Sequence, residues 1–192
     1  MSDCSINELR EKRMVESLRI YSGKVSWIYN LKEISIEIED AFFVSKSDET
    51  ELITINTGKD FIGKKIYYYD YNGNFILSYD LELGIITWVY QGLKNLNINN
   101  LKHVGFYPQN QRIFILCQNE KQELHGYNLD GKLLFSVNDP PGFEMRYFVQ
   151  IDDQIAVVCD GDQNQQDEYG RFRFHFLIDI DNGRLTKGTL AY

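Results

Sequence analysis

The residues Tyr69–Ser78 read YDYNGNFILS, and Tyr127–Ser136 read YNLDGKLLFS. The two segments align Tyr69 with Tyr127, Gly73 with Gly131, and NFILS with KLLFS. A third copy, LIDIDNGRLTKG, carries Gly183 and one extra turn residue, and a fourth, IYSGKVSWIY, carries Gly23. The glycines at 23, 73, 131 and 183 are spaced by 50, 58 and 52 residues. Self-similarity at such a period marks a chain built from repeated supersecondary units. Each copy has the same local meaning: a strand, a tight turn and a returning strand. Asn72-Gly73 and Asp130-Gly131 are dipeptides that accept φ > 0 in a two-residue hairpin turn. The Asp or Asn ahead of each turn can bond its own backbone.

The segments between the turns also read as strands. EISIEIED alternates strictly, with Ile34, Ile36 and Ile38 on one face and Glu33, Ser35, Glu37 and Glu39 on the other. A period of two is a half-buried strand. AFFVS, ELITI, GIITWVYQ, HVGFYP, RIFILC, MRYFVQI, QIAVVC and RFRFHFLIDI continue the pattern. The 13 Tyr, 12 Phe and 2 Trp suit pleated, half-buried surfaces. The expected fold is all-β: an antiparallel meander of about twelve strands in three units of roughly 50 residues, about 23–73, 74–131 and 132–183, within one domain spanning 1–192. A short helix is expected only at the N-terminus, where Ser5–Glu8 resembles a capping box. QGLKNLNINN (91–100) reads as a polar loop, and DGDQNQQDEYG (160–170) as an insertion between strands.

In YYYDYNGNFILSY, HGYNLDGKLLFSV and IYSGKVSWIY the chain resembles the blade pattern of β-propellers of the quinoprotein-related type. There one strand ends in an Asp-turn-Gly and the next opens on an apolar pair. The resemblance implies sheets arranged as blades. A closed propeller typically has at least four blades, so three units imply an incomplete array, an unusual closure or another antiparallel hairpin fold. An open edge has to be covered or charged, and EISIEIED carries such charge.

No apolar run approaches the ~20 residues of a membrane helix, and the polar N-terminus lacks the apolar segment of a secretory signal. Cys4, Cys117 and Cys159 show no CxxC spacing, and the latter two end apolar strands. They are expected as buried reduced thiols in a cytoplasmic protein. The motifs GxSxG, HExxH, GxGxxG and the phosphate-binding loop are all missing. His103, His125 and His175 lie on separate predicted strands. An EF-hand reading of DGDQNQQDE fails at position 6 (Gln165) and position 12 (Arg171). No catalytic residue, metal or cofactor is therefore expected.

The remaining signal is charge. The net charge is −8. Residues 33–51 contribute −6 and residues 139–168 contribute −7, so the rest of the chain is basic on balance. Such a field repels nucleic acid and attracts cationic partners. Partner-binding roles are expected for Glu37, Glu39, Asp40, Asp160, Asp162, Asp167 and Glu168. In its acidic blocks and missing catalytic motifs the chain resembles immunity proteins of bacterial toxin systems. That resemblance implies a non-enzymatic protein whose carboxylates mask the basic active site of a cognate nuclease toxin. The alternatives are a carbohydrate- or peptide-binding module using the tyrosines, and an enzyme recruiting acids such as Asp70 or Asp179.

Overall fold

The computed structural model describes residues 15–48 and 50–191. The expected helix at Ser5–Glu8 lies outside the described residues. Seventeen strands, among the described residues, form four antiparallel sheets. The first holds β1 (Glu16–Tyr21), β2 (Lys24–Tyr29) and β3 (Lys32–Glu37). The second holds β4 (Ala41–Ser47), β5 (Leu52–Thr57), β6 (Lys65–Asp70), β7 (Phe75–Asp80), β8 (Ile85–Val89) and β9 (Leu93–Asn97). The third holds β10 (Leu101–Tyr107), β11 (Arg112–Gln118), β12 (Gln122–Asn128) and β13 (Leu133–Asn138). The fourth holds β14 (Phe143–Ile151), β15 (Gln154–Gly161), β16 (Arg173–Ile178) and β17 (Leu185–Leu190). In every sheet the strands neighbour one another in chain order, and none closes on itself. No helix among the described residues is long and apolar enough to cross a membrane.

The count of about twelve strands is thus too low. β9 runs through the segment expected to be a polar loop. Its residues alternate between exposed and half-buried without a fully buried side, so the backbone ladder, rather than burial, makes it a strand. β17 (LTKGTL), the returning strand of the third repeat copy, is mostly exposed.

The chain divides into two compact units. One covers the described residues up to Asp80 with Thr87–Val89; the other covers Leu81–Ile86 and Tyr90 onward. The first has a core of Val25, Trp27, Ile53, Ile55 and Tyr71. The repeat turn anchors it. Tyr71, inside YDYNG, is 4% exposed. Its carbonyl accepts from the Trp27 indole at 2.8 Å, and its hydroxyl donates to the Ser47 carbonyl at 2.8 Å and to Asp48 Oδ1 at 2.9 Å. The same place in the next copy is Leu129, also buried, and in the third Ile180, which packs on its unit's core.

The turns differ from the expected two-residue type. The Asp70 N–H bonds Asn74 O, and the Gly73 N–H bonds Asp70 O; Asn128, Gly131 and Lys132 repeat the pattern. Only the glycine has positive φ, +85° at Gly73 and +86° at Gly131. These are three-residue loops with a left-handed glycine, not turns with two left-handed residues. The side chains reinforce them: Asp70 Oδ1 accepts from the Asn74 N–H and Asn128 Oδ1 from the Lys132 N–H, each at 2.8 Å. The weakest copy, Ser22-Gly23, is the two-residue hairpin, with φ of +50° and +74° between the paired Tyr21 and Lys24.

The core of the second unit is organised around a transverse row. Gly105 pairs with Phe114, Phe114 with Gly126, and Gly126 with Phe135. Glycine and phenylalanine thus alternate across β10–β13. A Cβ on Gly126 would lie 2.3 Å from the Phe135 ring, and one on Gly105 would lie 2.7 Å from the Phe148 ring. The glycines make room for rings that pack at a tilt, with centroids 6.1 Å (Phe114–Phe135) and 5.8 Å (Phe114–Phe148) apart.

Candidate functional site

The first acidic block sits on β3, an edge strand of its three-stranded sheet. Ile34 and Ile36 face the core, leaving Glu33, Ser35 and Glu37 exposed. Across the ladder, Glu37 meets Lys24, Ser35 meets Ser26 and Glu33 meets Ile28. Lys24 Nζ lies 3.0 Å from Glu37 Oε1, with that glutamate 81% exposed. Glu39 does not continue the strand face. Ile38 is buried with its N–H on the Gly23 carbonyl at 2.9 Å, and the chain then turns through Glu39 and Asp40, the latter at φ +54°. The expectation of Glu37 and Glu39 aligned on one strand is corrected: Glu33 and Glu37 share the strand face, while Glu39 and Asp40 occupy an exposed turn. Beside them, Arg19, Tyr21, Lys24, Ser26, Glu33 and Ser35 line a shallow concavity. Ser26 and Ser35 are cross-strand partners there, with Arg19 on β1, Lys24 on β2 and Glu33 on β3.

The second block belongs to the other unit and is largely consumed internally. Asp160 accepts from Arg173 Nε at 2.6 Å and from Arg146 Nε at 2.8 Å. Its carboxyl sits below the usual range, chiefly through the Arg173 hydrogen bond and then through Arg146, against partial desolvation. Asp167 Oδ1 accepts from the Tyr169 and Arg171 N–H groups, and its Oδ2 accepts from Arg171 Nε at 2.6 Å. Desolvation pushes the Asp167 carboxyl up, but the Arg171 and Tyr169 bonds together bring it below its ordinary value. Asp162 caps the short 3-10 turn Gln163–Gln165 by accepting from the Asn164 N–H at 2.8 Å. Glu168 is exposed. Asp160 and Asp167 therefore direct their acceptor oxygens to groups of the same unit.

The acids weighed for catalysis are turn chemistry. Asp70 accepts from both the backbone and the side chain of Asn74, and Asp179 accepts from the Asp181 N–H at 3.0 Å and Asn182 Nδ2 at 2.8 Å.

One constellation was missed by sequence reasoning. Cys117, Glu123 and His125 bring Sγ, a carboxylate oxygen and a ring nitrogen within 4.8 Å of one another. His125 Nε2 lies 2.7 Å from Glu123 Oε2 and 3.8 Å from Cys117 Sγ. His125 Nδ1 lies 4.0 Å from the same sulfur. The available signal was the spacing Cys-x5-Glu-x-His over one hairpin, legible only with the register that sets Cys117 opposite Glu123. Burial, with the Glu123 carboxylate beside it, pushes the thiol up to about 11. Both ring nitrogens lie near the sulfur, and Nε2 also contacts the carboxylate.

The fold and these surfaces define an all-β protein of multiple antiparallel sheets. No protein-family model matches the chain, and no curated protein matches it. Among solved structures it is similar to a protein of unknown function from Bacteroides caccae, at 10% identity over 92% of this chain with a TM-score of 0.36. It is similar to the dihydro-heme d1 dehydrogenase NirN in complex with DHE, at 12% identity over 88% of this chain with a TM-score of 0.45. It is also similar to KlHsv2 with loop 6CD replaced by a Gly-Ser linker, at 9% identity over 93% of this chain and 73% of that one, with a TM-score of 0.43. The chain spans 57% of the Bacteroides caccae protein and 43% of NirN. Likenesses of this depth carry no argument about activity, ligand or partner.

Proposed function

We propose that the chain is a propeller-like binding module that takes up a basic protein partner on the β3 edge and the turn after it. In this reading the sheets β4–β7, β10–β13 and β14–β17 each supply a four-strand blade, with the glycine turn between third and fourth strands. The observation that carries the binding reading is the contrast between the two acidic blocks. Glu33, Glu39 and Asp40 face solvent from an edge strand and its turn, beside a Glu37 that pairs with the half-exposed Lys24, while Asp160 and Asp167 are neutralised by arginines of the same unit. Carboxylates in solvent are free to steer and pair with a partner's Lys and Arg. In its narrower form the partner is a cationic nuclease toxin, and this chain occupies the place of the nucleic acid.

Affinity capture from the source cell, compared with capture by the Glu33→Lys/Glu39→Lys/Asp40→Lys variant, tests the surface. A basic partner should bind the parent chain and weaken steeply with salt, since pairs at exposed charges are screened. It should bind the variant at least ~10-fold more weakly, as the loss of about 1.4 kcal/mol or more of charge complementarity requires. Equal capture by both proteins defeats the β3 reading. Reversal of Asp162 and Glu168 serves as the control and should leave binding within about twofold, the scale of rim charges acting mainly on encounter.

A further inference from the structure

We propose that Cys117, Glu123 and His125 form a binding site for a divalent transition ion of the zinc class. The three side chains come from a single rigid hairpin. Cys117 on β11 and Glu123 on β12 are direct cross-strand partners, so both project from the same face. His125 lies two residues along β12 and shares that face by strand periodicity. Seven paired positions, from Arg112↔Asn128 to Gln118↔Gln122, fix the register. The ligands are thus carried by an element that cannot slide, as a built site requires.

The donor set selects the ion. A thiolate, an imidazole and a carboxylate together suit zinc and its borderline neighbours, whereas calcium and magnesium seek oxygen alone. Zinc bonds run about 2.3 Å to sulfur, about 2.0–2.1 Å to nitrogen and about 2.0–2.2 Å to oxygen, which places donors around a tetrahedral ion roughly 3.4–3.6 Å apart. The sulfur is already 3.8 Å from His125 Nε2, close to that separation. The 2.7 Å contact between His125 Nε2 and Glu123 Oε2 is a hydrogen bond. An ion takes the place of that proton, which moves to Nδ1 so that the ring stays neutral, and the two atoms part by roughly 0.7 Å to reach tetrahedral spacing. The thiol gives up its proton in the same event.

Access and surroundings agree. Cys117 is 1% exposed at the base of the site, while the Glu123 side chain keeps 28% of its surface at the mouth. Ser136 pairs with His125 and Asn138 with Glu123 from the neighbouring β13, and Asn119 bonds the Glu123 carboxylate. These polar groups can orient the ligands and a water at the fourth position. Three protein ligands leave that position to solvent, unlike the closed four-ligand sites of purely structural zinc.

The test is titration of the full, reduced chain with Co2+, followed by displacement with Zn2+. To isolate Cys117, the titration is done on the Cys4→Ser/Cys159→Ser background. One equivalent of Co2+ should produce thiolate-to-cobalt charge transfer in the near ultraviolet with the intense visible bands of a tetrahedral site, and one equivalent of Zn2+ should abolish them. Cys117→Ser should remove the charge-transfer band. His125→Gln and Glu123→Gln should weaken binding, the former by roughly 100-fold or more, as loss of a ligand demands. Far-ultraviolet circular dichroism establishes that each variant is folded. If Cys117→Ser is not, the two solvent-edge variants decide: unchanged affinity in both overturns the site. A folded background protein with no charge-transfer band, or a band that survives Cys117→Ser, overturns it as well.

Discussion

Gly126 shows how one residue governs a whole sheet here. Its φ is unexceptional, so its requirement is space alone: a single methyl would sit 2.3–2.7 Å from the Phe135 ring. Gly126→Ala is therefore expected to destabilise the β10–β17 unit by about 1–3 kcal/mol, the usual cost of overpacking a close-packed core. Urea denaturation followed by tyrosine and tryptophan fluorescence measures the loss. The cause is separable from a generic strand effect by a double-mutant cycle with Phe135→Leu. A steric clash predicts that the two changes couple favourably, so that Gly126→Ala costs less in the Phe135→Leu background than in the parent chain. Residues such as this were half legible. The phenylalanines and glycines of HVGFYP, RIFILC, LHGYNL and LLFSV stand plainly in the sequence, but only the register sets them in one row.

At the scale of the element, the alternation of EISIEIED and the Gly-centred turns marked which segments are strands, because both signals are local: side chains alternate across a pleat and glycine admits positive φ. What stayed hidden depended on pairing. β9 carries too few apolar side chains to announce itself. The hairpin joining β2 and β3 turns on Asn30-Leu31, with φ of +51° and +62°, and nothing in an Asn-Leu dipeptide signals a left-handed pair. The aligned carboxylates expected at Glu37 and Glu39 failed for the same reason, since the end of a strand is set by where its partner stops. Leu31 is 93% exposed, so its side chain contributes little packing. A left-handed leucine costs about 1–2 kcal/mol, and glycine offsets that gain by roughly 0.5–1 kcal/mol through the greater freedom of the unfolded chain. Leu31→Gly should accordingly stabilise the protein by about 0.5–1 kcal/mol, read as a rise in the thermal midpoint of the β1–β7 unit. A fall in that midpoint would mean that Leu31 packs where the exposure says it does not.

At the scale of the whole molecule, acid is the condition under which stability should change most. Many exposed acids in an acidic chain suggest that protonating carboxylates would do it, but the structure places an earlier event at His103. This histidine lies on β10 with its ring 5.6 Å from that of Phe148. The residue keeps some exposed surface, yet desolvation of the imidazole lowers its pKa to about 4 from an ordinary 6.5. The folded state thus holds a neutral ring where the unfolded chain binds a proton, so the unfolded state gains protons first as pH falls. Stability is at its full value above about pH 6.5 and declines through pH 5. The loss approaches about 3 kcal/mol near pH 4, because each pH unit between the two titration points is worth about 1.4 kcal/mol. The carboxylates of Asp160 and Asp167, held below their ordinary values by arginines, contribute stability that is lost only below that range. The two windows are therefore distinguishable. Urea midpoints measured from pH 7.5 to 4 should fall steadily for the parent chain and much less for His103→Gln. The decisive comparison is the slope between pH 6 and 4.5. Parallel slopes in the two proteins would remove His103 from the account.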